Sequence, residues 1–139
     1  MNILVKKLSD KAIIPTKEYG DAGFDLYSVE YYILSRMERK LFKTDIAMAI
    51  PQGCFGRVVD RSGNALKKGL HTMAGVIDST YRGEIGVVLI NLSESPVEIK
   101  TGDRIAQLVI ERYDESFLIE VSQLDETIRA EKGFGSSGN

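Results

Sequence analysis

The sequence predicts an all-β protein, a jelly-roll-like sandwich or barrel with at most one short helix and a flexible C-terminal tail. Short apolar stretches recur along the whole chain, and Gly, Pro, Asp and Ser separate them at short, regular intervals, which is typical of such folds. The chain has 139 residues, a length that suits one domain with a buried core. Its hydrophobic content of 43% and charged content of 27% are those of an ordinary globular protein.

The predicted strands follow one another along the chain with short breaks. Residues 2–8 form the first strand, and residues 23–34 hold two short ones. Residues 39–50 hold two more around a turn. Single strands are predicted at 54–59, 83–92, 95–100, 104–113 and 117–124.

The strand at 83–92 is apolar on both faces. Ile85, Val87 and Leu89 share one face, and Val88 and Ile90 share the other, because side chains alternate along a strand. Such a strand needs cover on both sides. In a chain of this size, one cover could be a partner subunit.

One segment, "SGNALKKG" at residues 62–69, predicts a short helix. Ser62 is a possible N-terminal cap, and Gly69 is expected to end the helix.

Composition excludes several classes of function. The net charge of -2 provides no basic surface of the kind that binds nucleic acid. The apolar runs are too short to span a bilayer. The first residues lack the layout of a signal peptide, so a cytoplasmic protein is expected.

The single Cys and single His exclude further kinds of site. Cys54 and His71 cannot form an internal disulfide or, within one subunit, a zinc site of His and Cys ligands. No residues around His71 mark a nucleophile. We therefore expect Cys54 to be a small core residue and His71 to be a strand or turn residue.

The C-terminal residues 129–139 differ in composition from residues 1–128, which we assign to the β domain. The tail is rich in Gly, Ser and charge, with a lone aromatic residue, Phe134. Such a segment buries too little surface to stay ordered alone. Glycine lets the backbone approach a phosphate, however, and Phe can stack on a base, so the tail is a candidate lid.

Five short stretches carry residue types that suit a nucleotide. Each is weak alone, since an acid at a strand end, a solvated Arg or an outward Gln is common. Backbone N–H groups at a helix start, as after Arg61, bind phosphate well. The candidates are Asp25 in "AGFDLYS", Arg61, Ser62 and Gly63 in "RSGNA", Asp78 and Tyr81 in "GVIDSTYRG", Gln107 in "GDRIAQL", and Arg129, Phe134 and Ser136 in "RAEKGFGSSG".

In their order and residues these stretches resemble the motifs of the trimeric dUTPase family (deoxyuridine triphosphate nucleotidohydrolases) over nearly the whole chain. The most specific matches are "GVIDSTYRGEIGVVLIN", "GDRIAQLVIER" and "GFGSSG". The resemblance implies a jelly-roll β protein and a homotrimer with three active sites at subunit interfaces. It also implies Mg²⁺-dependent hydrolysis of dUTP to dUMP and pyrophosphate, which limits uracil incorporation into DNA and supplies dUMP.

The resemblance also implies a role for each matched residue. Asp78 is the counterpart of the general base that orients a water for in-line attack on the α-phosphorus, and Tyr81 would leave no room for a 2′-hydroxyl. Asp25 would help to place Mg²⁺ through water, and the tail would close over the site of a neighbouring subunit. The hairpin would read uracil at Gly75, Val76, Ile77 and Gly86, and Phe134 would cover the uracil. Phosphates would be held by Arg61, Ser62, Gly63, Gln107, Arg129, Ser136 and Ser137, and Gly135 is a further substrate-binding residue of the tail.

The chain departs from the family's usual residues at five positions, none of which carries a matched catalytic group. They are Asp60 for Pro, Asn64 for Leu, Thr80 for an acid, and Ala130 and Lys132 for glycines. Asp60 puts a carboxylate beside a phosphate-binding Arg. Because neighbours in a strand point to opposite faces, we expect Asp60 to face away from Arg61.

Two alternatives stay open. The homologous dCTP deaminase family shares similar stretches, but it needs a Glu in the strand after the third motif, where this chain has Val88. The other alternative is a regulatory module that binds dUTP and a protein partner without needing turnover.

Overall fold

The computed structural model describes residues 2–134, and over this range the chain is almost entirely β. The strands are β1 (Leu4–Lys7), β2 (Gly23–Tyr27), β3 (Tyr32–Leu34), β4 (Arg39–Phe42), β5 (Ile46–Ala49), β6 (Cys54–Val59), β7 (Leu70–Met73), β8 (Val76–Ile77), β9 (Val87–Asn91), β10 (Val97–Ile99) and β11 (Arg104–Arg112), with one helix, α1 (Ser62–Lys68), between β6 and β7.

The strands form four small antiparallel sheets. Their strand orders are β2-β11-β6-β8, β4-β9-β7, β1-β5 and β10-β3. The side chains that these sheets turn towards one another form one buried cluster, in which Phe42, Leu26 and Leu108 are fully buried. The predicted all-β, jelly-roll-like fold class is confirmed.

Strand β9 has the two faces that the sequence predicted. Ile85, Val87 and Leu89 are buried in the core, whereas Val88 and Ile90 are only partly covered. Val88 pairs with Leu41 of β4 and Met73 of β7, so an apolar outer face continues across this sheet. The chain itself leaves that face partly open.

The helix α1 begins one residue earlier than the sequence predicted. Arg61 is the N-cap, with extended backbone (φ -87°, ψ 129°), and its carbonyl accepts the N–H of Ala65. Ser62 is therefore the first helical residue, and its prediction as the cap was wrong. Gly69 ends the helix as predicted, in the left-handed conformation (φ 64°) that favours glycine.

Two strands were not predicted, and one predicted strand is absent. Strands β7 and β8 flank the loop at 74–75, and each is too short to show a pattern. Residues 117–124 form no strand in the described chain, and the prediction there was wrong. Phe117, Leu118 and Ile119 are exposed, because alternating residues become a strand only where a neighbouring strand offers hydrogen-bond partners.

The buried amide of Asn91 joins three segments at the end of β9. Its Nδ2 donates to the carbonyls of Leu34 and Ser95, and its Oδ1 accepts from the backbone N–H of Ser93. Cys54 is buried and free, as expected. Within the described residues, the helix α1 lacks the length and hydropathy that a membrane crossing requires.

Candidate active site

The first candidate half-site is a cavity of about 330 Å³ beside the turn that carries Asp78. Strand β8 pairs with β6, and the N–H of Val58 donates to the carbonyl of Gly75. Gly75 has φ 103°, and a Cβ there would lie 2.6 Å from the Val58 carbonyl oxygen, so only glycine fits at this position. Gly75, Val76, Ile77 and Gly86 all line this cavity, with Asp78 and Tyr81.

The turn after β8 is braced by its own residues. The N–H of Tyr81 donates to the carbonyl of Asp78, and the Tyr81 hydroxyl donates to the carbonyl of Glu84 at 2.8 Å. Arg82 donates to the carbonyls of Ser79 and Tyr81. The side chain of Asp78 is exposed and makes no hydrogen bond within the described residues, so its carboxylate is open to a ligand or to water.

Glu84 fixes the other end of this turn to the corner between β4 and β5. Its carboxylate accepts the N–H groups of Thr44 and Asp45, and the Thr44 hydroxyl donates to the carbonyl of Ile85. The cavity is thereby held rigidly against the core.

Further residues line the first cavity that were not among the candidate site residues. They are Leu41, Phe42, Lys43, Val58, Met73, Ala74, Glu84 and Val88. Leu41, Met73 and Val88 belong to the apolar outer face of the β4-β9-β7 sheet. Of these three, Val88 was indicated by the sequence, as part of the two-faced strand and at the position of the deaminase Glu.

The second candidate half-site is a cavity of about 390 Å³ at the start of α1. Arg61 donates through Nε to Asp25 Oδ1 at 2.7 Å, and an Arg104 nitrogen lies 3.3 Å from Asp25 Oδ2. The partly buried carboxylate of Asp25 thus aligns two guanidinium groups. Lys17 is a third cationic residue of this cavity, and Glu18 and Asp21 line it with Asp25, so its formal charges balance. Guanidinium groups bind phosphate well, and Arg61 and Arg104 provide two of them here.

Ser62, Gly63 and Gln107 also line the second cavity. A Cβ on Gly63 would meet no atom within 4 Å, so the packing of the chain does not require glycine there. A missing side chain at a cavity wall leaves room for a ligand to approach the backbone.

Arg104 was not among the predicted site residues. Strict alternation of side chains along the strand would place it on the face opposite Gln107, three residues away. The pairing of β11 with β2 shifts register between Arg104 and Ala106. Such a bulge turns the side chains that follow it, and both Arg104 and Gln107 line the second cavity.

The carboxylate of Asp60 points away from Arg61, as expected. It accepts the backbone N–H of Thr72 at 2.6 Å and the Nδ1–H of His71 at 2.7 Å. Burial raises the pKa of Asp60, but these hydrogen bonds outweigh it and hold the pKa below the ordinary value. The other departure in this stretch, Asn64, is buried and donates to the carbonyl of Arg104.

The two cavities have no lining residue in common. Within one chain, therefore, Asp78 and Tyr81 are not brought together with Arg61, Ser62 and Gln107. A site that used both groups would have to span both cavities of one chain or combine cavities of different chains.

The described part of the tail reaches neither cavity. Arg129 donates through Nε to the carbonyl of Lys132, and Phe134 is fully exposed. Gly135, Ser136 and Ser137 lie outside the described residues.

Comparisons with known proteins agree on one family. A family model described as dUTPase matches residues 9–138. The deoxyuridine 5'-triphosphate nucleotidohydrolase of Mus musculus is 50% identical over 133 residues, which cover 95% of this chain and 82% of the mouse protein.

Solved structures give the same result. The dUTPase of Staphylococcus bacteriophage 80alpha with dUPNHPP matches with a TM-score of 0.94 at 33% identity over 99% of both chains. A mutant dUTPase from phage phi11 of S. aureus, in which a structural Mg(II) ion is coordinated, has a TM-score of 0.85 at 28% identity over 91% of this chain and 100% of that one.

Proposed function

The chain belongs to the dUTPase family, and we propose that it hydrolyses dUTP to dUMP and pyrophosphate by attack of water on the α-phosphorus. The observation that carries this proposal is the pair of cavities, one with a free carboxylate beside an apolar hairpin and the other with aligned guanidinium groups. The first suits a base and sugar, and the second suits a triphosphate.

Asp78 is the general base of this proposal. Its exposed carboxylate has no competing partner among the described residues, so it can take the proton of a water aligned with the α-phosphorus. The oxygen of that water bonds to phosphorus, and the bond to the oxygen that bridges the α- and β-phosphates breaks. Pyrophosphate leaves with the bridging oxygen. A positioned base contributes about 10²–10⁴-fold to such a step.

The hairpin carries base and sugar recognition. Gly75, Val76, Ile77 and Gly86 line the cavity, and their backbone groups would read the edge of uracil. Tyr81 lines the same cavity, with its ring held by the bond to Glu84. A fixed ring against the sugar would exclude a 2′-hydroxyl.

The second cavity holds the phosphates. Arg61, Ser62, Gly63 and Gln107 line it, and charge neutralisation with positioning supplies most of the catalysis of phosphoryl transfer. Arg104 adds a further cationic group that the motifs did not assign.

Magnesium fits this arrangement as a companion of the triphosphate. Among the described residues, no three His, Cys, Asp or Glu side chains lie close enough to hold a metal ion by themselves. Mg²⁺ keeps several waters and is usually bound by one or two carboxylates with substrate phosphates. The oxygens of Asp25 accept from arginines but retain lone pairs for a water. When bound, the ion would neutralise charge on the phosphates.

A homotrimer would bring the two cavities of different chains together. The separate cavities support it, and so do the partly open face of β9 and the exposed apolar residues 117–119. The residues at 129–139 would then close over a neighbouring site as a lid, with Arg129, Ser136 and Ser137 on phosphates, Gly135 beside them and Phe134 over the base. The cytoplasmic location stays a prediction.

Deamination of dCTP is disfavoured. Val88, at the position where the deaminase family needs a Glu, lines the first cavity with its methyl groups and transfers no proton. A regulatory role is a second candidate, because phage dUTPases such as that of 80alpha are described as controlling transfer of virulence genes by a proto-oncogenic G protein-like mechanism.

Incubation with dUTP tests the proposal. We expect the full chain to release one pyrophosphate and one dUMP per dUTP, with activity lost when EDTA removes Mg²⁺ and recovered when Mg²⁺ is restored. dCTP in the same assay is expected to yield no ammonia. Binding of dUTP without any release of pyrophosphate would support the regulatory alternative instead.

A further inference from the structure

Asp60 contacts a lining residue of the second cavity and the strand that leads into the first. Its main-chain carbonyl accepts Gln107 Nε2 at 2.8 Å, and Gln107 lines the second cavity. Its carboxylate accepts the N–H of Thr72 and bonds to His71, both in β7, the strand that leads into the first cavity.

Asp60 itself lies beyond the end of the sheet ladder, whereas Gln107 is paired on both sides and Arg61 is also bonded to Asp25. The ladder between β6 and β11 ends at the pair Val59 and Gln107, so Asp60 and Arg61 follow the last paired residue. Strand β7, in contrast, pairs with β9 over four residues from Leu70 to Met73. The bond from the carboxylate to β7 therefore anchors the link between β6 and α1 to a rigid strand.

We propose that Asp60 is a positioning residue for the triphosphate: its carboxylate, clamped on His71 and Thr72, fixes Arg61 and the amide of Gln107 in the second cavity. This inference rests on the proposed function. The side chain of Asp60 is 28% exposed and that of His71 is 57% exposed. The carboxylate is therefore shielded from water more than the imidazole is. The usual Pro of the family has no group that could make these bonds.

The bonds of Asp60 to His71 and Thr72 act on the second cavity, where the proposed function places the phosphates. Removing the carboxylate frees the end of β6, whereas β7 and the hairpin stay held by β9, by the bond from Val58 to Gly75 and by Glu84. Loss of the clamp should therefore weaken recognition of the triphosphate and leave recognition of the nucleoside unchanged.

The test compares Asp60→Ala, Asp60→Asn and the wild-type full chain. We expect Asp60→Ala to lower kcat/KM for dUTP by about 10–100-fold, because small displacements of positioning groups have effects of this size. Calorimetry should show a comparable loss of affinity for the non-hydrolysable analogue dUPNHPP but no change for deoxyuridine. Asp60→Asn, whose amide can still bond to Thr72 and His71, is expected to stay within about threefold of wild type.

Glu94→Ala is the matched control, because it also removes a carboxylate bonded to another side chain, here Arg36 at the exposed surface, and Glu94 lines neither cavity. This variant should keep the wild-type kcat/KM for dUTP and the wild-type affinities for dUPNHPP and deoxyuridine. Wild-type kcat/KM in Asp60→Ala would overturn the inference, and so would equal losses of affinity for the analogue and deoxyuridine, which would indicate general unfolding. A wild-type chain without dUTP hydrolysis would contradict the proposed function instead.

Discussion

The carboxylate of Asp78 is held in position by the backbone around it rather than by partners of its own. The braced turn from Asp78 to Glu84 fixes the Cα, and the side chain stays exposed and free of hydrogen bonds in the described chain. Such a group can change protonation during a reaction without breaking a structural contact.

Substitution of Asp78 tests its role as the base. Asp78→Asn has the same size and breaks no side-chain hydrogen bond, so we expect an unchanged melting temperature and a near-normal Kd for dUPNHPP. Turnover should fall by about 10²–10⁴-fold, because an amide does not accept the proton of water. Near wild-type turnover in stopped-flow assays would show that another group is the base.

Tyr81 tests sugar selection. We expect Tyr81→Ala to narrow the preference for dUTP over UTP by about tenfold or more, because the ring that fills the space beside the sugar is lost. Tyr81→Phe is the control, since it keeps the ring and loses only the bond to the Glu84 carbonyl. The ratio of kcat/KM for the two nucleotides is the measurement, and an unchanged ratio in Tyr81→Ala would place selection elsewhere.

At the scale of the elements, Glu30 joins the turn after β2 to strand β4. Its carboxylate bonds to the ammonium of Lys40 at 3.1 Å and accepts the N–H of Lys43. Burial raises the pKa of Glu30, but these bonds outweigh it and lower the pKa below the ordinary value. The charged form is therefore favoured by folding.

The pH dependence of stability follows from that direction. Because the folded pKa is below the unfolded one, the contribution of Glu30 is complete above the unfolded value of about 4.3 and is lost as the pH falls through the folded value. We expect Glu30→Gln to be about 1 kcal/mol less stable at pH 6 and equal to wild type near pH 2. Urea unfolding at one protein concentration measures both, and a constant difference across this range would contradict the assignment.

Sequence patterns predict those elements whose side chains alternate over several residues. Strands β6 and β11 are long and alternating, and they were predicted within one residue of their bounds. Strands β7 and β8 are too short for a pattern. The bulge that turns Arg104 towards Gln107 depends on pairing with β2, which local sequence does not encode.

Residues that line the cavities were predictable where a quoted stretch contained them and unpredictable where tertiary contacts bring them there. Asp25 and Asp78 stood out in quoted stretches, and the structure shows each at a cavity. Leu41 and Lys17 reach the cavities only because the sheets bring them there. The order of the motifs likewise did not predict which residues would share a cavity.

For the whole molecule, the tail gives the most direct prediction. Deletion of residues 133–139 should leave a trimer in sedimentation velocity at micromolar protein, with an unchanged melting temperature, because no described contact of the β domain depends on Phe134. Turnover of dUTP should fall by a large factor, about 10²-fold, since closure excludes water and aligns the reacting groups. A monomer in sedimentation would contradict the shared site, and full activity of the truncated chain would contradict the lid.

The absence of shared lining residues between the two cavities has a genetic consequence. If each site takes the Asp78 cavity from one chain and the Arg61 cavity from another, two dead alleles can rescue each other. Co-expression of Asp78→Asn with Arg61→Ala in equal amounts would leave both halves intact at about a quarter of the sites in randomly mixed trimers, although either chain alone is inactive. Two inactive alleles would then restore activity when their substitutions lie in different cavities, and would not when they lie in the same one. The pattern of rescue among pairs of alleles would show which residues act from the same chain.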